Sequence, residues 1–214
     1  MSPKTEVFEK HLDRYERWFE EHRNAYMSEL EAVRELLPGG KGVEIGVGTG
    51  RFAAPLGIGL GVEPSERLAR VAESRGVKVI RGVAEDLPLG DSSFDFALMV
   101  TTICFLDDPE KALREVNRIL RPGGYVIIGF VDAESPLGKR YRSSGSPFYR
   151  VARFFTVREV VEMLEKAGFC DFEFRQTIFG DPDEMERPDP VLPGHGKGSF
   201  VVVRARKCKN IGRP

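Results

Sequence analysis

The sequence predicts an α/β fold, in which a doubly wound, mainly parallel sheet of seven strands carries helices on both faces. Short apolar runs alternate with amphipathic segments, which is the pattern of parallel strands joined by crossover helices. A glycine-rich turn follows the first strand, where open α/β sheets bind ligands. A helical segment over residues 6–37 precedes that strand and is expected to form an N-terminal helical cap.

Size and composition indicate one globular domain. The 214 residues suit a single compact unit, and 41% hydrophobic with 30% charged residues exclude a disordered chain. A formal net charge of −1 gives no general attraction to nucleic acid or to anionic membranes. No signal-peptide core or membrane-spanning run is visible, so a cytoplasmic protein is expected, as a monomer or a weak dimer. Abundant Lys, Arg and Glu with little Gln resembles the composition of a thermophile.

The three cysteines are Cys104, Cys170 and Cys208. Because they are odd in number and lack CxxC spacing, we expect reduced thiols and neither a disulfide framework nor a metal site. Cys104 lies in an apolar run and is more simply a small buried side chain than a nucleophile.

The cap carries apolar and aromatic residues at spacings of three or four. Asn24 is the expected break between two helices. Tyr15, Trp18 and Phe19 are expected to pack on the core. In the alternative interpretation, Tyr15 or Tyr26 reaches over a ligand as a lid.

The remaining elements follow in order and complete a Rossmann-like pattern. Strands are predicted at residues 42–45, 58–62, 77–81, 94–100, 125–130, 172–178 and 200–205. Helices are predicted at residues 50–56, 65–75, 109–120 and 156–166, the last opened by a capping box. The expected organisation within a single domain, 1–214, is a core at 41–130, a substrate-side insert at 131–154, and a C-terminal helix with a strand pair at 155–206. Residues 180–198 form a long loop, either functional or disordered.

Four motifs stand in a fixed order along the core, at residues 44–50, 61–65, 82–95 and 114–124. The first, Glu44-Ile45-Gly46-Val47-Gly48-Thr49-Gly50, is similar to the ExGxGxG motif of class I S-adenosylmethionine-dependent methyltransferases. The third and fourth resemble motifs of the small-molecule branch that includes ubiquinone and menaquinone biosynthesis enzymes. The ordered set is specific, although each motif alone is weak.

The resemblance implies S-adenosylmethionine as cofactor and S-adenosylhomocysteine as product. The glycines would allow the main chain to approach the ligand closely. Glu63 would accept hydrogen bonds from both ribose hydroxyls, Glu85 or Asp86 one from the adenine amino group, and Glu44 would act on the ligand ammonium or on the glycine turn. The cofactor-binding residues implied are Glu44, Gly46, Gly48, Gly50, Glu63, Pro64, Ala84, Glu85, Val100 and Thr101.

The reaction expected is methyl transfer to a small-molecule acceptor by in-line displacement. The acceptor atom is left open between N-methylation of a small amine and O- or C-methylation of a ring. Residues 103–106 (Ile103-Cys104-Phe105-Leu106) are apolar where this branch often carries a histidine, so no general base is evident. Weak catalytic candidates are Tyr15, Tyr141, Tyr149 and His195.

Basic residues interleave with aromatic ones over 139–158. They indicate either a solvated face or a lid that attracts an anionic small substrate. Two functions other than methyl transfer are also consistent with parts of the sequence. A non-catalytic S-adenosylmethionine-binding module is consistent with the missing histidine. A nicotinamide-dependent dehydrogenase is consistent with the GxGxxA match at residues 48–53, but the helix after this match is too short and Glu63 would repel a 2′-phosphate.

Overall fold

The computed structural model describes residues 3–208, which form helices on both sides of one sheet. The helices within this range are α1 (Pro3–Lys10), α2 (Leu12–Glu21), α3 (Arg23–Leu36), α4 (Glu66–Ser74), α5 (Pro109–Ile119), α6 (Pro136–Ser143), α7 (Pro147–Val151) and α8 (Val157–Lys166). None of them is long and apolar enough to cross a bilayer.

The sheet has the predicted doubly wound arrangement, with eight strands where seven were expected. They are β1 (Gly42–Ile45), β2 (Leu60–Glu63), β3 (Lys78–Arg81), β4 (Phe94–Val100), β5 (Leu120–Val131), β6 (Phe169–Thr177), β7 (Leu192–Pro193) and β8 (Phe200–Lys207). Their order is β3-β2-β1-β4-β5-β8-β6-β7. The pairs among β1 to β5 are parallel, and those of β8 with β5 and β6 are antiparallel. The extra strand, β7, is a two-residue pairing at the sheet edge.

Strand β4 shows why the central run is apolar without interruption. Phe96 and Leu98 face one layer, where they join the core formed with α3. Ala97 and Met99 face the other layer, where they join the core formed with α5 and α8. A strand that is buried on both faces has no solvent side, so its sequence does not alternate.

The helix caps follow the predicted chemistry. The Ser65 hydroxyl accepts a hydrogen bond from the Leu68 amide and begins α4, and Thr156 with Glu159 forms the predicted capping box of α8.

Two local expectations about helices were wrong. The cap breaks at His11 and His22, not at Asn24, because Asn24 already lies within α3, where its side chain donates a hydrogen bond to the Met185 carbonyl. Within residues 50–56, Gly50 forms a bend and the residues after it form consecutive turns, so there is no regular helix. Pro55 and Gly57 leave too few residues for a regular helix there.

The expectation of three reduced thiols was also wrong. Cys170 on β6 and Cys208 form a disulfide with Cα atoms 5.6 Å apart. The antiparallel register of β6 with β8 brings the two residues together, and the Cys208 amide donates to the Gly168 carbonyl. Sequence spacing of 38 residues gave no hint of this pairing, because it depends on strand register. Cys104 is free.

The long loop at 180–198 has defined structure. It contains a short 3-10 turn (Pro182–Glu184) and strand β7. Asp189 accepts a hydrogen bond from the Phe179 amide, and its own amide donates to the Ser28 hydroxyl on α3. These contacts hold the loop against the N-terminal cap.

Candidate active site

A cavity of about 660 Å³ lies at the carboxyl ends of β1, β2, β4 and β5. This is the point where the strand order reverses between β1 and β4, as expected for ligand sites in open α/β sheets. Helices α1 and α2 and the α6–α7 segment contribute further walls. We call the part against β1, β2 and β4 the cofactor half, and the part enclosed by the helices the acceptor half.

The glycine turn after β1 adopts backbone conformations that favour glycine. Gly46, Gly48 and Gly50 have φ of 68°, 54° and 79°. A Cβ on Gly46 would lie 2.4 Å from the Thr102 side chain, and a Cβ on Gly48 would lie 3.3 Å from the Tyr15 hydroxyl. Gly46 and Gly48 line the cavity, so the turn presents main chain to a bound molecule.

Glu63 holds the turn from the end of β2. One carboxylate oxygen accepts a hydrogen bond of 2.9 Å from the Gly48 amide, and the other accepts one of 2.9 Å from the Ser65 amide. Burial raises the pKa of Glu63, and the two amide donors oppose this shift. Each oxygen keeps a lone pair that can accept a further hydrogen bond from a ligand in the cavity.

Glu44 is buried behind the turn and does not line the cavity. Burial raises its pKa well above the ordinary value. One of its carboxyl oxygens, the Thr49 hydroxyl and the Arg51 Nε are buried without a hydrogen-bond partner within the described residues. These three polar atoms around the turn could be satisfied by ordered water.

The loop after β3 reaches the same cavity. Pro64, Ala84 and Glu85 line it, whereas Asp86 does not. A Glu85 oxygen accepts hydrogen bonds from the Asp107 and Asp108 amides at 2.9 and 3.3 Å. Glu85 therefore also joins this loop to the segment that follows β4.

At the end of β4, Val100 and the following residue, Thr101, line the floor of the cavity. Thr101 has φ of 50°, an unusual left-handed conformation for this residue type, and its amide donates to the Gly129 carbonyl at 2.8 Å. Burial raises the pKa of the neighbouring Cys104 thiol to about 12. Cys104 therefore stays a neutral thiol near neutral pH and is not an activated nucleophile.

The acceptor half is walled by aromatic rings from three separate segments. The ring centroid of Phe8 lies 5.1 Å from that of Phe148 and 4.8 Å from that of Phe105, and the Tyr15 and Phe8 ring centroids are 5.4 Å apart. Tyr141 and Tyr149 stack at 4.1 Å. The packing of these rings encloses the acceptor half and keeps it largely apolar. The Tyr15 hydroxyl also lies next to Gly48 of the glycine turn.

Tyr26 behaves differently from Tyr15. Its hydroxyl donates a hydrogen bond to the Arg51 carbonyl, and its ring packs on Phe52 at 5.6 Å. Tyr26 therefore fixes the cap to the glycine turn.

Glu29 on α3 is a cavity-lining residue that the sequence analysis missed. Its side chain is only 5% exposed, yet within the described residues it has no hydrogen-bond or ion-pair partner. Burial raises its pKa to about 8. The available signal was its place on the apolar face of α3, at helical spacing from Ala25, Ala32 and Leu36.

Among the catalytic candidates, three tyrosines line the cavity and His195 does not. Burial raises the pKa of Tyr15, Tyr141 and Tyr149, so their phenols remain protonated. His195 packs against the Phe174 ring at 4.9 Å, in the loop that leads to β8. Its location outside the cavity gives it no access to a ligand there.

Of the basic residues in 139–158, Arg140 lines the cavity, and its charge is compensated. Arg140 forms ion pairs with Asp181 and Asp183, and Asp183 also contacts His22 at 2.7 Å. Arg142 is exposed and does not line the cavity. Arg140 therefore contributes little net positive charge at this rim.

Comparisons with known proteins agree with this geometry. Residues 43–128 match the family described as "Methyltransferase domain". The structure of an S-adenosylmethionine-dependent methyltransferase of Thermotoga maritima, described as a possible histamine N-methyltransferase, superposes with a TM-score of 0.93 and 58% identity. That similarity covers 94% of this chain and 99% of the other.

Two curated sequences extend the comparison. An uncharacterized protein of Methanocaldococcus jannaschii is 44% identical over 94% of this chain and 98% of its own length. A demethylmenaquinone methyltransferase of Bacillus mycoides is 26% identical over 82% of this chain and 90% of its own length. The Thermotoga methyltransferase matches along nearly the whole chain. This match, together with the glycine turn, Glu63 and the strand order, shows that the chain belongs to the class I S-adenosylmethionine-dependent methyltransferases.

Proposed function

We propose that the protein transfers the methyl group of S-adenosylmethionine to a nitrogen atom of a small amine. The observation that carries this proposal is the acceptor half itself, where aromatic rings and one buried carboxyl group, that of Glu29, line the same space. Aromatic faces and a carboxylate together are suited to a cationic organic molecule.

The cofactor half fits S-adenosylmethionine through groups that are already in place. The backbone of Gly46 and Gly48 would carry the methionine and ribose, and Glu63 would accept from the ribose hydroxyls. Gly50 does not line the cavity; a Cβ there would meet Ala72, so this glycine lets the turn pack closely against α4. Bound there, the cofactor supplies a methyl group activated by its sulfonium.

The other predicted residues complete this arrangement. Pro64 and Ala84 would contact the nucleoside, and Glu85 would accept a hydrogen bond from the adenine amino group. Val100 and Thr101 would place main chain beside the methyl group. Glu44 would act through water, because it lies behind the turn.

Catalysis is proposed to be positional. The three tyrosines lining the cavity stay protonated, and Cys104 stays a thiol, so none of them is a ready base. The packed rings exclude water and align the acceptor nitrogen, which must arrive with a free lone pair. The nitrogen then loses its surplus proton to solvent after transfer.

The charges favour a cationic acceptor over an anionic one. Arg140 is paired with two aspartates, so the attraction for an anion expected from the basic segment is largely cancelled at the cavity. Glu29 adds a negative group when ionised. The description of the Thermotoga relative as a possible histamine N-methyltransferase supports the same acceptor class.

The test is a product assay with a trideuteromethyl-labelled cofactor. Histamine and other small amines, phenols and quinols are incubated separately with the protein, and mass spectrometry follows labelled product and S-adenosylhomocysteine. We expect labelled N-methyl products in amounts equal to S-adenosylhomocysteine. Label on a ring alone would support the ring methylation suggested by the demethylmenaquinone methyltransferase relative. Tight cofactor binding without any product would favour a non-catalytic binding module.

A further inference from the structure

We propose that the Glu29 carboxylate binds a cationic group of the methyl acceptor that is distinct from the atom receiving the methyl group. This inference rests on the proposed function and deepens it, because it assigns a specificity-determining residue and a narrower substrate class. The acceptor would be a small molecule that carries a protonated amine at one end and a neutral nucleophilic nitrogen at the other.

Glu29 is buried without a compensating partner within residues 3–208. Its carboxyl group lines the cavity at 5% exposure, and no donor within residues 3–208 contacts it. Removing a carboxylate from water is unfavourable unless a cation or hydrogen-bond donors replace the solvent. A ligand cation in the cavity would supply the missing partner.

Aromatic rings share the cavity with Glu29. Tyr141 and Tyr149 line the same cavity and interact electrostatically with the Glu29 carboxylate. Trp18 lines it as well, half-buried and stacked on His22 at 5.0 Å. Aromatic faces stabilise organic cations by cation–π attraction, so these rings and the carboxylate act in the same direction.

The position of Glu29 along the sheet places it on the acceptor side of the cavity. Its helix, α3, packs on β5, β6 and β8. The cofactor half is built on β1, β2 and β4, which precede these strands in the sheet order. Glu29 therefore lies on the side of the reaction centre away from the nucleoside, where the distal end of an acceptor would be.

These placements determine which atom reacts. An ammonium group bound to Glu29 has no lone pair and cannot attack the methyl group. The nucleophile is a second, neutral nitrogen of the same molecule, near the Thr101 backbone. Its lone pair forms the new N–C bond while the S–C bond breaks with its electron pair remaining on sulfur, and the methylated nitrogen releases a proton to solvent.

Binding of a cation to Glu29 can be measured through the proton that the carboxyl group releases. Because its pKa is raised to about 8, the empty cavity holds mostly the neutral acid at neutral pH. A bound cation would stabilise the carboxylate and release that proton. The other titratable or charged groups that line the cavity from the N-terminal cap, the α6–α7 segment and the loop at 180–198 are Lys4, Arg14, Tyr15, Glu21, His22, Arg140, Tyr141, Tyr149 and Asp183. Tyr26, on the same helix as Glu29, also interacts electrostatically with its carboxylate.

The direct binding test uses tetramethylammonium, which carries no proton of its own. Calorimetry in buffers of different ionisation enthalpy counts the protons released when it binds to the S-adenosylhomocysteine complex. Near pH 7 we expect about one proton from the wild type and none from Glu29→Gln. Equal proton release by both proteins would overturn the proposal without any reference to turnover.

The kinetic test pairs the charge of the residue with the charge of the substrate. The amine found to be methylated is compared with its analogue lacking the amino group, which for histamine is 4-ethylimidazole. Glu29→Gln should raise KM for the cationic substrate about 10- to 100-fold and leave KM for the neutral analogue unchanged. Glu29→Asp keeps the negative charge and should retain part of the preference for the cationic substrate over the neutral analogue. Glu20→Gln is the control, because Glu20 is exposed on α2 and does not line the cavity, and it should leave both KM values unchanged.

The outcomes separate the two claims. If the wild type methylates no amine at all, the proposed function fails. If it methylates the cationic amine with the same KM in wild type and Glu29→Gln, only the role of Glu29 is overturned. Unchanged S-adenosylhomocysteine affinity in each variant shows that the cavity is intact, so a loss of amine selectivity cannot be attributed to misfolding.

Discussion

The two halves of the cavity are built in different ways. The cofactor half uses main-chain atoms and short side chains at strand ends, and its glycine turn and Glu63 lie within 20 residues of each other in the sequence. The acceptor half uses large side chains from α1 and α2, from α3 and from the α6–α7 segment. A main-chain site is fixed by the fold and can be shared across a family. A side-chain site can change with each substitution, so acceptor identity is expected to reside there.

Their buried carboxyl groups show the same difference. Glu63 has two amide donors, which stabilise its charged form before any ligand binds. Glu29 has no such donor and a pKa raised to about 8. One carboxylate is preorganised, whereas the other is completed by a ligand. Four substitutions test this contrast, from the largest expected effect to the smallest.

The largest effect concerns the cost of keeping Glu29 without a partner. Its pKa is raised from 4.5 to about 8 in the folded protein. A raised folded pKa means that stability is fully present below the unfolded pKa and is lost as pH rises through the folded value. Relative to Glu29→Gln, the wild type should therefore lose about 3 kcal/mol of unfolding free energy between about pH 4 and pH 7. Urea unfolding at several pH values measures this difference, and parallel pH profiles would contradict it.

The second test removes the preorganised carboxylate. Glu63→Ala should weaken S-adenosylhomocysteine binding about 100-fold, because the two charge-assisted hydrogen bonds that we propose to the ribose would be lost. Glu66→Ala removes an exposed carboxylate paired with Arg70 at the start of α4 and should leave affinity unchanged. Isothermal calorimetry measures both variants. Full affinity in Glu63→Ala would show that the cofactor half is assigned wrongly.

The third test concerns the main-chain geometry of the cofactor half. Gly46→Ala should lower the unfolding free energy by about 2 kcal/mol, because alanine is strained at a φ of 68° and its Cβ would meet Thr102. Gly59→Ala is the matched control, since a Cβ there has open space. Chemical denaturation checks both. Equal stability of the two variants would remove the argument that this turn requires glycine.

The smallest effect concerns the aromatic wall of the acceptor half. Phe148→Ala removes the ring next to Phe8 and Tyr15 and should raise the acceptor KM about 10-fold without changing cofactor affinity. The control is Phe179→Ala, which truncates an exposed ring that does not line the cavity. Steady-state kinetics at saturating cofactor separate the variants. A loss of cofactor affinity in Phe148→Ala would contradict the assignment of Phe148 to the acceptor half alone.

The sequence predicted most of the cofactor half because its signals are local. Alternating glycines, an acid at a strand end and the capping of α4 each depend on residues close in the chain. The strand order and the buried character of β4 follow from the same alternation of apolar runs and helices. Asn24 was misplaced as a helix break, which is the usual error of one or two residues at an element boundary.

The acceptor half could not be predicted in the same way. Glu29 was not predicted because α3 contains several glutamates, and only its position on the apolar face distinguishes it from the others. Phe8 and Phe148 meet because α1 packs against α7, a contact between segments far apart in the sequence. The Cys170–Cys208 disulfide was missed for the same reason. Contacts of this kind depend on tertiary packing, which no local spacing encodes.

The most direct measurement of the central claim is paired calorimetry on the wild type and Glu29→Gln. S-adenosylhomocysteine is titrated first, and the cationic amine is then titrated into the saturated complex. The account predicts equal S-adenosylhomocysteine affinity in both proteins and amine binding weakened about 10- to 100-fold in Glu29→Gln alone. Equal amine affinity in both proteins, or a parallel loss of both ligands in the variant, would contradict it.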